Sequence, residues 1–199
     1  MARTLATASL VLVVGLWVLF ETTLELRALT QETARRVAIR DQPRPVPAFS
    51  VQLQDGRTAS LDELRGQLVV ATFMYTSCHD VCPVVGARMG EIRSDLSAAV
   101  SSGDIQFVSL SFDPGVDEPE RLRGYADNFR AAIDHWWVAR PIDDLEAMLR
   151  FFGVTVIPAG NGMYVHNAAY YLIDRDMQLV DILDEDRPEA VRTALIDRL

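Results

Sequence analysis

Cysteine is nearly absent: two residues in 199, so the chain is no disulfide scaffold. Lysine is missing altogether, and all 19 basic residues are Arg, a compositional bias to which no mechanism attaches. Basic charge is scarce relative to acidic, 19 residues against 28, for a net charge of −9. That balance argues against a nucleic-acid partner, because phosphate binding needs a basic surface. Pro and Gly, at 9 and 11 residues, are near average, which excludes collagen-like and wholly disordered chains. No internal repeat or low-complexity tract occurs. What remains, 49% hydrophobic and 24% charged, is ordinary globular composition, long enough for one domain with a core and too short for two comfortable ones.

Thr4 to Phe20 carries no charge, and Leu10 to Phe20 is apolar throughout apart from Gly15. At 1.5 Å per residue such a stretch spans about 25 Å, the short end for a membrane helix. Arg3 precedes it and Glu21 follows, so the N-terminus is expected to stay cytoplasmic with the rest exported. Leu24, Leu26 and Leu29 continue the apolar pattern sparsely, as a helix leaving a membrane would. A cleaved signal peptide is the main rival, but Glu21-Thr22-Thr23-Leu24-Glu25 offers no small-x-small cleavage site; a buried soluble helix is the third reading. The expectation is an uncleaved signal anchor and stalk over residues 1–40, spanning the membrane at about 4–20. It places a soluble domain in an oxidising compartment, the periplasmic side of a bacterial inner membrane.

Glu25 to Arg40 is polar and helix-compatible until three prolines in five residues, Pro43, Pro45 and Pro47, break it. They favour an extended spacer over residues 41–47. The folded domain is then expected over 48–199. Asp55-Gly56-Arg57 reads as a turn between short extended runs, and Leu61–Arg65 as one helical turn. Leu68–Tyr75 is continuously apolar, as a strand buried on both faces should be. A helix is expected from about Pro83 to Val100, a second strand at Ile105–Phe112, and helices at Pro119–Ile133 and Asp143–Phe152. Tyr170–Ile173 and Leu179–Leu183 read as strands joined by a polar turn, and Arg187–Leu199 as a closing amphipathic helix. The order βαβ, then helices, then ββα predicts an α/β, thioredoxin-like fold, a mixed central sheet flanked by helices.

The two thiols stand together in Cys78-His79-Asp80-Val81-Cys82-Pro83, where a strand gives way to a helix. Thiols four apart on a helical turn share one face, with Cβ atoms about 5–6 Å apart. A modest adjustment permits a disulfide, and a metal could bridge them as they stand. A helix N-terminus is also expected to lower a thiol pKa. The bland alternative is a pair of buried structural cysteines. Two thiolates alone make an incomplete metal site, and the chain has three histidines to offer: His79 between the cysteines, His135 beside Trp136 and Trp137, and His166 just before the last strand pair. His135 reads as structural, and the neighbours of His79 can aim it at solvent. Two sulfurs and one imidazole suit Cu(I), whereas structural zinc wants a fourth ligand, with no obvious candidate but Asp80 or His79.

Over roughly Pro45 to Leu199 the chain resembles the Sco (SenC) family of copper-binding, thioredoxin-fold assembly proteins. The resemblance rests on Thr72-Phe73-Met74-Tyr75-Thr76-Ser77-Cys78-His79-Asp80-Val81-Cys82-Pro83, on Ser111-Phe112-Asp113-Pro114, on Asp117-Glu118-Pro119-Glu120 and on Leu172-Ile173-Asp174. It implies copper bound by Cys78, Cys82 and His166. It also implies one N-terminal transmembrane helix and a role in building the binuclear copper centre of cytochrome c oxidase. Its partners would be a copper-receiving oxidase subunit or another copper chaperone. Two departures stand out: His79 where the family has Pro after its first Cys, and Val165-His166-Asn167 where it has Asp-His-Ser. The alternative is a thiol–disulfide oxidoreductase with Cys78 and Cys82 as its redox pair, Cys78 attacking and Cys82 resolving. Peroxide reduction, a third reading, is disfavoured because that chemistry wants a preorganised, anion-stabilising Arg and Thr around one peroxidatic thiol. Asp113-Pro114 is expected to make a turn, and Asp117 and Glu118 to start a helix.

Overall fold

The computed structural model describes residues 2–22 and 30–199. Two compact units divide the chain between Pro43 and Arg44. In the first, α1 (Ala2–Thr22) covers the uncharged stretch, and Leu10, Val11, Leu16 and Trp17 on it are exposed. Among the described residues no helix is long and apolar enough to cross a membrane. In α2 (Gln31–Asp41) the Thr30 hydroxyl caps the first turn by accepting from the Thr33 N–H at 3.1 Å. Leu24, Leu26 and Leu29, and the start of the polar helix expected from Glu25, lie outside the described residues.

The second unit, Arg44–Leu199, is built on an eight-stranded sheet. Its strands are β1 (Arg44–Pro45), β2 (Ser50–Leu53), β3 (Thr58–Ser60), β4 (Leu68–Met74), β5 (Ile105–Ser111) and β6 (Trp136–Pro141). A separate hairpin, β7 (Val156–Gly160) and β8 (Met163–His166), comes before β9 (Ala169–Ile173) and β10 (Gln178–Asp184). The sheet order is β1-β10-β9-β4-β5-β6-β2-β3. β4, β5 and β6 run parallel, and the strands outside them add antiparallel. Arg44–Pro45, inside the stretch read as an extended spacer, pair with Leu179 and Gln178.

The helices are α3 (Val81–Asp95), α4 (Ser97–Ser101), α5 (Pro119–Phe129), α6 (Leu145–Phe152) and α7 (Pro188–Ile196). Every residue of β4 and β5 is buried, as two strands covered on both faces require. Side chains alternate along each strand, so Phe73 and Phe107 point to opposite faces. Phe73 meets Phe152 of α6 at 5.4 Å between ring centroids. Phe107 meets Trp136 at 5.8 Å, and Trp136 in turn stacks on Phe129 of α5. Both faces are thus covered by helix, the expected thioredoxin-like layering. Because β4 and β5 are parallel, the loops leaving their carboxyl ends, residues 75–80 and 112–118, emerge side by side. In open α/β sheets that edge is where ligands bind.

Several expectations shift. The single helix expected over Pro83–Val100 is two, broken at Leu96, and it begins earlier, so that Cys82 already lies in its first turn. The helix expected to reach Ile133 stops at Phe129, where Arg130 adopts a left-handed φ of 52°. The strand β6 was not read, because its four-residue apolar run, Trp136–Ala139, carries no periodicity that separates strand from helix. The hairpin β7–β8 was not read either. Ile157, Met163 and Val165 are exposed on it, so no core-facing alternation marked it.

Candidate functional site

Cys78 closes the turn after β4, its N–H donating to the Tyr75 carbonyl at 3.2 Å. Cys82 is the second residue of α3. The helix-capping residue, Asp80, makes no side-chain hydrogen bond to the first turn; instead the Cys82 N–H donates to Cys78 Sγ at 3.3 Å. A sulfur thus takes the place of a capping oxygen, and the first-turn amide serves Cys78 rather than Cys82. Both thiols are free and buried, at 7% and 3% exposure. Burial pushes the Cys82 thiol well above its usual pKa, and its hydrogen bond with Cys78 pushes the same way. The sequence led us to expect the helix N-terminus to lower it. At Cys82 desolvation outweighs the backbone N–H groups that favour a thiolate.

His166 comes to the same place from the other end of the chain. It ends β8, opposite Val156, and its Nε2 stands 3.9 Å from Cys82 Sγ. A thiolate and an imidazole bound to one ion at about 2.3 and 2.0–2.1 Å, in trigonal geometry, lie about 3.8 Å apart. The separation therefore suits an ion held between them. Among the described residues, no three or more His, Cys, Asp and Glu side chains are gathered tightly enough to hold a metal as they stand. Binding an ion there requires loss of the thiol protons.

Burial lowers the His166 pKa below the usual imidazole value, against the opposing pull of the Asn167 carbonyl and Glu185. The ring is therefore neutral at pH 7, the form that can ligate. Its Nδ1 lies 3.3 Å from the Asn167 carbonyl, and its ring packs on Phe112 at 4.8 Å and near Tyr75 at 6.4 Å between centroids. Val165 stands where the resemblance would place an acid, and aromatic packing and one backbone carbonyl hold the ring.

The other two histidines stand apart from the pair. His79 is exposed to solvent. His135 sits at the amino end of β6, away from the loops that carry the thiols, where its carbonyl accepts from the Phe107 N–H at 3.0 Å.

Three contributors were missed in the sequence. The hairpin that delivers His166 had a signal in Asn161-Gly162: these are the central residues of its turn, with φ of 52° and 73°, and a type I′ hairpin turn needs positive φ at both. Asn167 ties the base of that hairpin to the end of α6, accepting from the Thr155 N–H at 2.7 Å and donating to the Gly153 carbonyl at 3.0 Å. Asp117, expected to start a helix, precedes α5 and turns a fully buried carboxylate toward Thr76 and Ser111. The sequence shows both residues only as parts of the stretches compared with the family, and neither bonding pattern can be read there, since both are made across the fold.

A profile of the SCO1/SenC family matches residues 37–199. Among curated proteins, a SCO1 protein homolog of Bacillus subtilis is 30% identical over 135 residues, 66% of this chain and 69% of its own length. The chain spans 58% to 63% of the length of three other curated relatives. A solved SCO1/SenC family lipoprotein from Bacillus anthracis superposes with a TM-score of 0.69 at 27% identity, over 79% of this chain and 97% of that one. ScoI of Bradyrhizobium japonicum, solved with copper bound, superposes with a TM-score of 0.63 at 23% identity, over 78% and 99%. With the paired thiols of the 78–82 turn, the late histidine beside them and a profile match running through the whole folded unit, the chain belongs to the SCO1/SenC family.

Proposed function

We propose that this protein is a membrane-anchored copper metallochaperone that binds copper through Cys78, Cys82 and His166 and helps build the copper centre of cytochrome c oxidase. The observation that carries the reading is the 3.9 Å approach of His166 Nε2 to Cys82 Sγ. Thiol–disulfide exchange has no need of an imidazole brought in on its own hairpin, whereas a third soft-metal ligand is what two thiolates lack. The donor set suits copper as cargo, and a relative of the same fold has been solved with copper bound. The partners are a copper-receiving oxidase subunit or a second copper chaperone. The uncharged run Thr4–Phe20 behind Arg3 supports an anchor that leaves the folded unit on the periplasmic side of the bacterial inner membrane.

The test is titration of the reduced full-length protein, in detergent, with Cu(I) and Cu(II) against competing chelators. One copper per chain is expected, abolished by Cys78→Ser, by Cys82→Ser or by oxidation to the disulfide, because a disulfide leaves neither sulfur as a thiolate donor. His166→Ala should weaken binding far more than His79→Ala, and more for Cu(II), which favours nitrogen. Tight stoichiometric binding in the double Cys→Ser variant would refute the site.

A second reading has its own observation. Two free, buried thiols four residues apart, Cys78 Sγ accepting the first-turn N–H of Cys82, are also the arrangement of a thiol–disulfide oxidoreductase, with Cys78 attacking and Cys82 resolving. Weak copper binding in every variant, with thiol reactivity untouched by His166→Ala, selects it.

A further inference from the structure

We propose that Asp117 is a positioning residue, the buried carboxylate that fixes the 78–82 thiol turn against the 111–117 loop, whose Asp113 meets the His166 hairpin; this deepens the metal and thiol site proposed above and rests on it. Asp117 is 0% exposed. Its Oδ2 accepts from the Thr76 N–H at 3.0 Å and from the Ser111 hydroxyl at 2.6 Å, and its Oδ1 accepts from the Thr76 hydroxyl. Thr76 precedes Cys78 by two residues, and Ser111 ends β5. One side chain therefore binds together the loops that leave the two parallel strands beneath the site.

The choice of an acid here has a chemical reason. A backbone N–H and two hydroxyls approach as donors, and the two oxygens of one carboxyl group offer enough acceptor positions to receive all three. No arginine pairs with it among the described residues, so these hydrogen bonds are what offset the cost of burying a polar side chain. A loop that needed only to turn would have no reason to carry that cost.

The second half of the link runs through the same loop. The Asp117 N–H donates to the Asp113 carbonyl at 2.9 Å, and the Ser111 hydroxyl oxygen accepts from the Asp113 N–H at 3.0 Å. Asp113 in turn accepts from the Tyr164 hydroxyl at 3.4 Å. Tyr164 lies two residues before His166 on β8, so both point to the same face of the hairpin. Cys78 is thus held from one side of Asp117 and His166 from the other, although Asp117 touches neither.

The experiment compares Asp117→Ala and Asp117→Asn with the parent, as full-length protein in detergent. Three quantities are read: melting temperature, the equilibrium constant of the Cys78–Cys82 disulfide with glutathione, and Cu(I) and Cu(II) affinity. In the glutathione equilibrium two glutathione thiols become one oxidised glutathione as the protein disulfide becomes two thiols, so no metal is involved. Loss of an outer partner of a ligand typically costs 10–100-fold in metal affinity, and about that loss is expected in Asp117→Ala, with about a tenfold change in the disulfide equilibrium. Asp117→Asn should recover part of both, since its carbonyl can still accept from the Thr76 N–H while its amide donates to a rotated hydroxyl. A merely structural role predicts lower melting temperature with both other quantities within twofold of the parent, and that result overturns the proposal. If Asp117→Ala does not fold, Asp117→Asn and Ser111→Ala decide it by the same criterion. A parent that binds no copper, with a disulfide equilibrium that still responds to Asp117, removes the copper reading and leaves the positioning role standing.

Discussion

Gly86 is where the structure makes its sharpest demand on a single residue. It lies one turn beyond Cys82 on α3, and a methyl group there would meet the ring of Phe129 on α5 with its nearest atoms at 2.6, 2.8 and 2.9 Å. Carbon atoms in contact settle at about 3.5–4.0 Å, so Gly86→Ala must separate the ring and α3 by about 1 Å. The ring has little freedom to give way: it packs on Tyr125 at 4.8 Å and stacks near Trp136 at 6.3 Å between centroids. Overpacking of this kind costs about 1–3 kcal/mol. Against it stands the helix preference for Ala over Gly, about 0.8–1 kcal/mol. The net expectation is a loss of about 1 kcal/mol, or about 2–4 °C in melting temperature for a chain of this size. The assay is thermal and denaturant unfolding followed by near-ultraviolet circular dichroism, on Gly86→Ala, Phe129→Leu and the double variant. Phe129→Leu frees space, so the double variant should be more stable than the sum of the two single losses implies, the coupling expected of residues in contact. Because α3 carries Cys82, copper affinity should fall with Gly86→Ala and return in the double variant. A melting temperature equal to or above the parent's in Gly86→Ala would show that the helices are not pinned at this contact.

Three further outcomes follow from the same structure. Asn167→Ala releases the Thr155 N–H and Gly153 carbonyl that hold the base of the hairpin, and should weaken copper binding about tenfold with a small change in melting temperature; equal affinity would mean the hairpin needs no tether. The full-length protein should stay with membranes through an alkaline carbonate wash and come free only with detergent, whereas recovery of a mature chain beginning at or after residue 21 would remove the anchor. Burial and the nearby Arg93 hold the His135 pKa below the ordinary 6.5, so the folded protein resists its protonation. The sign follows: that contribution to stability is present above about pH 6.5 and is lost as pH falls through the lower folded value. His135→Gln should therefore flatten the decline in apo-protein stability between pH 7 and pH 5, and an unchanged slope would count against the assignment.

How much of this could be read from the chain alone divides along a physical line. Patterns carried by neighbours in sequence were legible. The apolar run of β4 can be satisfied only by a strand covered on both faces, and the alternation of strand and helix around it implies parallel pairing. The Cys78–Cys82 spacing at a strand-to-helix junction puts two thiols on one turn, whatever surrounds them. The resemblance carried by that motif reached as far as His166. Tertiary structure decided what depends on partners distant in the chain. It turned the Cys82 N–H to Cys78 and buried Cys82, reversing the pKa direction expected from a helix N-terminus. It made a hairpin of residues 156–166, whose exposed Ile157, Met163 and Val165 left no periodic trace, and so brought an imidazole 84 residues away to 3.9 Å from a thiol. It drew Asp117 out of the helix it was expected to begin and buried it among donors from two other segments. Local propensity and hydrophobic period report on how each segment prefers to fold. Desolvation and hydrogen-bond completion are set by which segments meet, and these determine the charge, reach and orientation of the groups at the site.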